Sequence, residues 1–242
     1  MKGIEEALLE KECLLAADFD GTLTLSGSSM YAAVHVTGPG SGLALGRDRL
    51  FQTVGRAVWQ EAGEHPEDRG TLRRAAAWWR GQMELYVDEG IPESILRAAA
   101  ALLPARGEGL ELLRFCRRNA IPVWIVSAGL GNVIRFWLEN AGFAEDDFHI
   151  LANELYYEEG KPAGFGKLIT PWNKAEEFFA AAGKAAAQTL VLLGDRREDL
   201  FWRTEREEDY LVKAEGFFKI SGNPSGCCKN CGEFLRGARK MT

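Results

Sequence analysis

The sequence predicts an α/β fold in which helices cover both faces of a doubly wound parallel sheet. Four short apolar runs predict its buried strands, at residues 13–18, 122–127, 148–152 and 189–194. Helical patterns lie between these runs, and strands of continuous apolar character that alternate with helices form parallel sheets buried on both faces. A long helical region between the first two runs predicts a helical cap inserted into this core.

The N-terminal part of the chain leads into the first strand and then into the insertion. Residues 4–11 predict a short helix before the strand at 13–18. The glycine-rich stretch at 38–42 has two interpretations, a phosphate-cradling loop or a flexible connection. It lacks the Lys-Ser/Thr pair of a P-loop, which favours the flexible connection. From residue 49 to residue 103 apolar residues recur every three or four positions, which predicts helices.

Alternation of strands and helices resumes after residue 104. The predicted elements are a helix at 110–118, a strand at 122–127, a helix that follows the glycine-rich turn at 128–131 and stops at Gly142, a strand at 148–152, a hairpin at 156–161, a helix capped by Thr170 with Pro171 at its first position, and a strand at 189–194. The chain thus divides into a Rossmann-like catalytic core, residues 1–24 and 106–242, and a helical cap, residues 25–105. Residues 214–242 form an uncertain tail of the core, where a last strand is one interpretation and a poorly packed segment is the other.

Composition narrows the class of protein. The 242 residues are 46% hydrophobic and 26% charged, which is typical of a globular enzyme. A net charge of −6 without a long basic run argues against a nucleic-acid polymer as partner. We expect no membrane association, because the sequence has neither a signal-peptide pattern nor an apolar stretch of about 20 residues. Five cysteines, three of them bunched near the C-terminus, fit a reducing cytoplasm, where we expect a monomer.

Two carboxylates follow the first predicted strand. Asp18 and Asp20 would share one side of the chain there, about 7 Å apart along the strand axis. Two acids at the end of a buried strand repel one another unless a cation or a proton joins them. The alternative is a polar strand end followed by an ordinary turn, since Asp and Gly are common turn residues. The whole string Asp-Phe-Asp-Gly-Thr-Leu-Thr after an apolar strand favours a cation site.

Other polar residues follow the later strands. Ser127 ends the second run, Asp195 follows the last, Asp199 lies four residues on, and Lys174 lies near the start of a predicted helix. Ligands bind at the carboxyl ends of strands in a doubly wound sheet. Carboxylates combined with a hydroxyl and a lysine suit Mg²⁺ and a phosphate group. None of the three histidines has a partner at metal-ligand spacing, so acid–base chemistry would rest on carboxylates.

The order and type of these motifs resemble the haloacid dehalogenase superfamily of phosphatases over nearly the whole chain. Within it, the sequence is most similar to the cytosolic pyrimidine 5′-nucleotidase family (nucleotidase III type). The residues that carry this resemblance are Ile125 to Ile134, Ala152-Asn153, the Gly-Phe-Gly-Lys stretch at 164–167, Asn173-Lys174, Gly194-Asp195 and Asp199-Leu200, together with Trp78-Trp79 before Gly90-Ile91-Pro92. The resemblance implies an Mg²⁺-dependent hydrolase of nucleoside 5′-monophosphates that forms an aspartyl-phosphate.

The resemblance also implies a role for each matched residue. Asp18 would be the nucleophile and Asp20 the general acid and base. Lys174 would neutralise charge in the transition state and bind phosphate together with the turn at Ser127. The phosphate-binding residues would be Ser127, Ala128, Gly129 and Lys174. The metal set would be Asp18, Asp20 through its backbone carbonyl, Asp195 and Asp199, the last of which could instead orient Lys174.

Substrate preference would lie in the cap. Trp78, Trp79 and Tyr86 are candidates for stacking on a base, although aromatic residues at helical spacing are more often core residues. The family usually has an acid just before the cap tryptophans, where this chain has Ala77, and Glu84 is the candidate substitute. Base preference therefore stays open.

Two departures keep alternative functions open. Arg196 follows Gly194-Asp195 where the family has a small residue, and Cys228-x-x-Cys231 lies in a C-terminal segment where the resemblance fades. The cysteine pair could begin a zinc site, but a closed site needs four ligands and no second pair is visible. The alternatives are a phosphatase of another small metabolite, such as phosphoserine, and a catalytically impaired paralogue that binds ligands.

Overall fold

A computed structural model of the chain describes residues 2–9, 13–25, 28–37, 45–65, 68–182, 189–194, 212–214 and 217–222. Helices and strands alternate along most of these residues. Their bounds are α1 Lys2–Leu8, β1 Cys13–Ala17, α2 Ala32–Thr37, α3 Leu45–Glu64, α4 Arg69–Asp88, α5 Glu93–Ala101, α6 Gly107–Arg118, β2 Val123–Leu130, α7 Gly131–Asn140, β3 His149–Asn153, β4 Leu155–Glu158, β5 Lys161–Phe165, α8 Lys174–Ala182, β6 Thr189–Gly194, β7 Val212–Ala214 and β8 Phe217–Gly222.

The described strands form a sheet of six in the order β3-β2-β1-β6-β8-β7 and a separate β4-β5 hairpin. Strand β1 pairs in parallel with β2 and β6, and β2 pairs in parallel with β3. The predicted doubly wound parallel sheet is therefore confirmed. Strand β8 pairs antiparallel with β6, and β7 pairs antiparallel with β8 at the edge of the sheet. Part of the region taken as an uncertain tail thus completes one edge of the sheet, whereas the cysteines at 227–231 lie outside the described residues.

Strand β1 shows why its sequence is apolar without a break. Alternate side chains point to opposite faces of a sheet. Leu15 and Ala17 belong to the larger apolar core, whereas Leu14 and Ala16 pack in a second core against Phe178 of α8. Each face of the strand is covered, so every position is buried, and this confirms the interpretation of the continuous apolar runs.

The helices α3, α4 and α5 lie between β1 and β2 in sequence, as the helical spacing predicts. Helix α4 begins after Asp68, whose carboxylate accepts hydrogen bonds from the backbone N–H groups of Gly70 and Thr71 at 3.0 and 3.1 Å. This is a standard N-cap, and it supplies partners for N–H groups that a helix start leaves free. The two ends of the inserted segment lie next to each other, because Thr24 and Ala105 form an isolated antiparallel bridge. The residue bounds of cap and core stay a prediction.

The start of α8 differs from its prediction. The helix begins at Lys174 rather than at Pro171. Asn173 Oδ1 accepts hydrogen bonds from the backbone N–H and the hydroxyl of Thr170, at 2.6 and 3.0 Å. Thr170 therefore acts as a donor to this turn instead of capping the helix with its side chain. The change matters for function, because it makes Lys174 the first residue of α8.

Tyr157 of β4 supports a pH-dependent prediction. Its hydroxyl donates to the carbonyl oxygen of Ile91 at 2.9 Å. Burial, with a smaller contribution from Glu93, raises the pKa of Tyr157 to about 12. In the unfolded chain a tyrosine loses its proton near pH 10. Between about pH 10 and the folded pKa only the unfolded state releases this proton, so we expect this tyrosine to lower the free energy of unfolding across that interval.

The measurement is urea unfolding of the wild type and of Tyr157→Phe at several pH values. Below about pH 10 we expect the wild type to be more stable than the variant by about 1 kcal/mol, the usual value of one hydrogen bond. That advantage should shrink and then reverse as pH rises further. A difference in free energy of unfolding that is constant from neutral pH to strongly alkaline pH would contradict the prediction.

Candidate active site

The turn after β1 carries the two predicted acids. Gly21 adopts a φ of +85°, a left-handed conformation that glycine enters without steric cost. The guanidinium group of Arg106 donates to the carbonyl oxygens of Gly21 and Thr22 at 3.0 and 3.1 Å. Arg106 immediately precedes α6, so the start of this helix is tied to the turn after β1.

Asp18 lies at the carboxyl end of β1, and its backbone N–H donates to the carbonyl oxygen of Leu193 in β6 at 2.8 Å. Lys174 Nζ donates to Asp18 Oδ1 at 3.0 Å, and the hydroxyl of Thr22 donates to Oδ2 at 3.2 Å. Asp18 is 8% exposed and Lys174 2% exposed. Burying either charge alone would be costly, so each supports the ionised state of the other. The two residues are separated by 156 positions in sequence, and the fold joins them.

Asp20 is held by Ser29, a residue that the sequence analysis did not assign to the site. The backbone N–H of Ser29 donates to Asp20 Oδ1 and its hydroxyl donates to Oδ2, both at 2.8 Å. Ser29 belongs to a run of small polar residues at 26–29, which suggests only a loosely ordered connection. The local pattern contains no signal for this contact, because it depends on how the chain returns to the sheet edge.

The predicted phosphate-binding turn lies at the end of β2 and precedes α7. The backbone N–H of Gly129 donates to the hydroxyl of Ser127 at 3.0 Å. A side chain at Gly129 would collide with its surroundings, since a Cβ there would lie 1.8 Å from Ser29 Oγ and 2.9 Å from Asp20 Oδ2. The same position is 3.1 Å from Ser127 Oγ. Ser127, Ser29 and Asp20 therefore converge on this glycine.

Asn153, at the end of β3, ties this turn to the segment that leads to Lys174. Its side-chain amide donates to the carbonyl oxygens of Ala128, Gly129 and Ile169, at 2.8, 3.2 and 2.8 Å. Its Oδ1 accepts from the backbone N–H of Ile169 at 2.9 Å. Asn153 is buried. The sequence motif that contains it did not predict a role for this side chain.

We expect Asn153→Ala to weaken both stability and activity. The substitution removes the hydrogen bonds from buried carbonyl groups, each of which costs about 1–3 kcal/mol when it is left without a donor. The free energy of unfolding should therefore fall by about 3 kcal/mol, with a loss of phosphatase activity because the turn at Ala128 is no longer held. Urea unfolding and initial rates check this. Asn119→Ala is the matched control, since the side-chain amide of exposed Asn119 donates one hydrogen bond, to the carbonyl oxygen of Phe115. A loss of stability in Asn153→Ala equal to that of this control would contradict the assignment.

The cap reaches the site through tryptophans. Trp79 Nε1 donates to the carbonyl oxygen of Ala128 at 2.9 Å. Its ring lies against those of Trp59, Trp78 and Trp172, with centroids 4.6–5.9 Å apart. Trp78 and Trp79 are 9% and 4% exposed, and Tyr86 donates to the carbonyl of Met30. The side chains proposed to stack on a base are thus packed in the core in this structure.

Glu84 is exposed, as is Ala77. Glu84 lies five positions after Trp79 on α4. At about 100° per residue, the two side chains are therefore about 140° apart around the helix axis. Helix α4 therefore does not present Glu84 on the buried face that carries Trp79. A substrate-binding role for Glu84 or for the two tryptophans stays a prediction. Gln82, on the buried face, and Trp172 have side-chain N–H groups without a hydrogen-bond partner among the described residues.

The predicted metal ligands are only partly described. Asp195 and Asp199 lie outside the described residues, as does Arg196. Strand β6, which ends at Gly194, runs beside β1, with Leu193 opposite Ala17. Among the described residues there is no group of three or more His, Cys, Asp or Glu side chains that could hold a metal ion. The described residues contribute two carboxylates, those of Asp18 and Asp20. Carboxylate oxygens are hard donors, which fit Mg²⁺.

Comparison with known proteins identifies the family of this chain. Residues 15–201 match the profile of the haloacid dehalogenase-like hydrolase family, and the chain belongs to that family. No helix in the described parts of the chain is long and apolar enough to cross a membrane.

Solved structures with the same fold include a cytosolic 5′-nucleotidase IIIB bound to cytidine, with 20% identity and a TM-score of 0.54, over 82% of this chain and 71% of that one. A haloacid dehalogenase family hydrolase from Salmonella enterica subsp. enterica serovar Typhi matches with 16% identity and a TM-score of 0.50, over 72% of this chain and 52% of that one. At these identities the likeness shows the fold alone.

Proposed function

We propose that this protein is an Mg²⁺-dependent phosphomonoesterase that hydrolyses nucleoside 5′-monophosphates through an aspartyl-phosphate on Asp18. The observation that carries the proposal is the buried contact of Lys174 Nζ with Asp18 Oδ1 at 3.0 Å. This contact joins a carboxylate and an ammonium group at the carboxyl end of β1, which supports a nucleophile there beside a fixed positive charge. The turn that begins at Ser127 is the neighbouring strand end, where phosphoryl oxygens would bind.

Each residue of the site has a chemical task in this proposal. Thr22 and Lys174 hold the two oxygens of Asp18 and so orient its carboxylate for attack on phosphorus. As the new bond to phosphorus forms, the ester bond breaks and Asp20 gives a proton to the leaving oxygen. Asp20 then takes a proton from the water that attacks phosphorus, and the bond between phosphorus and Asp18 breaks to release inorganic phosphate and the free carboxylate. The ammonium group of Lys174 stabilises the negative charge on the phosphoryl oxygens.

Asp18, the backbone carbonyl of Asp20, and Asp195 would hold Mg²⁺, with Asp199 as a further ligand or as a residue that orients Lys174. When bound, the ion offsets the repulsion between an anionic substrate and an anionic nucleophile. The acidic composition and few cysteines favour action as a cytoplasmic monomer.

Two observations on the tryptophans between cap and core favour different leaving groups. Trp172 has an indole N–H without a partner among the described residues, and its ring lies 5.9 Å from that of Trp79. A nucleobase offers both a flat surface and hydrogen-bond acceptors to such a group, which supports a nucleotide. The burial of Trp78 and Trp79 favours a smaller alcohol, and a phosphatase of a small metabolite such as phosphoserine is the second candidate.

The test is release of inorganic phosphate from CMP, UMP, 7-methyl-GMP and phosphoserine, each with Mg²⁺ and with EDTA. The proposal expects turnover of at least one nucleotide and loss of turnover in EDTA. Turnover of phosphoserine alone would favour the second candidate. No turnover of any ester would contradict both and would favour a ligand-binding paralogue.

A further inference from the structure

Ser29 makes three hydrogen bonds that join Asp20 to the turn after Ser127. Its backbone N–H and its hydroxyl each donate to one oxygen of the Asp20 carboxylate, at 2.8 Å. Its Oγ also accepts from the backbone N–H of Leu130 at 3.3 Å. Ser29 is fully buried. Both carboxylate oxygens are thus held by one residue, and that residue is attached to the loop that would bind phosphate.

A carboxylate held at both oxygens cannot rotate about its Cβ–Cγ bond without breaking a hydrogen bond. In the orientation that Ser29 imposes, Asp20 Oδ2 points toward Gly129. A Cβ atom added at Gly129 would lie only 2.9 Å from this oxygen. The hydroxyl of Ser127 lies 3.1 Å from the same point. The oxygen of Asp20 that accepts from the Ser29 hydroxyl therefore faces the same glycine as the predicted phosphate-binding hydroxyl.

We infer that Ser29 is a positioning residue for proton transfer: it aims Asp20 Oδ2 at the leaving oxygen of a phosphate ester bound at the turn after Ser127. The inference rests on the proposed phosphatase function. In the first step the bond from Asp18 to phosphorus forms, the ester bond breaks, and the proton passes from Asp20 to the leaving oxygen. The Ser29 hydroxyl then donates to the carboxylate oxygen on which negative charge has developed, so its bond strengthens during the step.

A residue that only supported the fold would affect all substrates alike. A residue that acts through the general acid matters most when the leaving group needs a proton. Phenyl phosphate and p-nitrophenyl phosphate have nearly the same shape, but p-nitrophenolate is the more stable anion and departs with less help. The ratio of kcat/KM for these two substrates on one enzyme sample therefore reports on proton transfer. It does not depend on how much of the sample is folded.

The experiment measures this ratio for the wild type, Ser29→Ala, Asp20→Asn and the double variant. Ser28→Ala is the matched control, because it removes the hydroxyl of the preceding residue and leaves both hydrogen bonds from Ser29 to Asp20 in place. General acids contribute on the order of 10²–10⁴-fold to rate. We expect Ser29→Ala to lower kcat/KM about 100-fold for phenyl phosphate and about 10-fold or less for p-nitrophenyl phosphate, a fraction of that contribution.

Two further results are expected. Ser29→Ala should cause little additional loss once Asp20 is Asn, because residues that act as one unit are non-additive. Ser28→Ala should keep the wild-type ratio. Equal losses of Ser29→Ala on both substrates, or full additivity with Asp20→Asn, would overturn the inference while leaving the proposed function in place. A wild type that releases phosphate from no ester in Mg²⁺, neither aryl phosphate nor nucleotide, would overturn the proposed function and the inference with it.

Discussion

Asp18→Asn is expected to abolish phosphate release from every ester that the wild type hydrolyses. The amide keeps the size of the side chain but is a poor nucleophile, so no aspartyl-phosphate forms. Loss of the nucleophile from a site whose catalytic residues act as a unit lowers kcat on the order of 10⁴-fold or more. Initial rates with p-nitrophenyl phosphate in Mg²⁺ measure the effect. Asp146→Asn is the control, since Asp146 is exposed and should leave the rate unchanged.

An Asp18→Asn rate within about tenfold of the wild-type rate would contradict the assignment of the nucleophile, because losses of that size are typical of residues outside the bond-forming step. The fold would be unaffected by that outcome. A loss equal to that of Asp146→Asn would have the same meaning. The variant is informative because Asn can still accept the hydrogen bond from Lys174, so the contact at 3.0 Å has an uncharged counterpart.

Lys174→Met is expected to have the second largest effect, and it acts on stability as well as on rate. The substitution leaves the Asp18 carboxylate, 8% exposed, without the ammonium group that lies 3.0 Å from it. Removing one partner of a buried ion pair costs about 3–5 kcal/mol. For a chain of this length, that loss lowers Tm by about 10 °C. Activity should fall on the order of 10²–10³-fold, the usual cost of one charge-stabilising group.

A double variant separates the two effects. Asp18→Asn combined with Lys174→Met removes both charges, so the free energy of unfolding should recover most of the loss while the rate stays at background. Lys167→Met is the matched control, because Lys167 pairs with Glu177 but its side chain is 71% exposed. An exposed pair contributes about 0–1 kcal/mol. If Lys174→Met were as stable as this control, the buried pair would not stabilise the fold.

The strands were predictable from the sequence because each is buried on both faces. The run at 13–18 has no polar alternation, and the structure shows why: Leu14 and Leu15 face different cores. Strand β8 and the edge strand β7 were less predictable, since their six and three residues include polar positions and so have a weaker apolar signal. The start of α8 was wrong by three residues, because the rule that places Pro at the first helical position ignored Asn173 as an acceptor for Thr170.

The site was predictable where motif order carries the information. Asp18 and Lys174 were assigned to one centre from their positions after different elements, and the fold brings them into contact. Ser29 and Asn153 could not be assigned in that way. Their bonds to Asp20 and to Ala128 depend on the path of loops in three dimensions, and a serine in a small-residue run or an asparagine at a strand end has no distinctive spacing.

For the aromatic residues of the cap, the sequence could not predict whether the side chains are buried or available to a substrate. Their helical spacing is compatible with a buried face and with a stacking surface, and the sequence does not distinguish the two. In the structure Trp78 and Trp79 are buried, and Trp79 donates to the carbonyl oxygen of Ala128, so at least one of them contacts the turn that is predicted to bind phosphate. Burial of a side chain depends on what packs over it, which local periodicity does not encode.

The most direct test of the central claim is chemical identification of the phosphorylated residue. The protein is mixed with p-nitrophenyl phosphate and Mg²⁺, quenched in acid within a turnover, reduced with borohydride and analysed by peptide mass spectrometry. Reduction converts an aspartyl-phosphate into homoserine. We predict homoserine at position 18 in the wild type and its absence from Asp18→Asn. Ester hydrolysis with an unmodified Asp18, or with homoserine at another aspartate, would contradict the account.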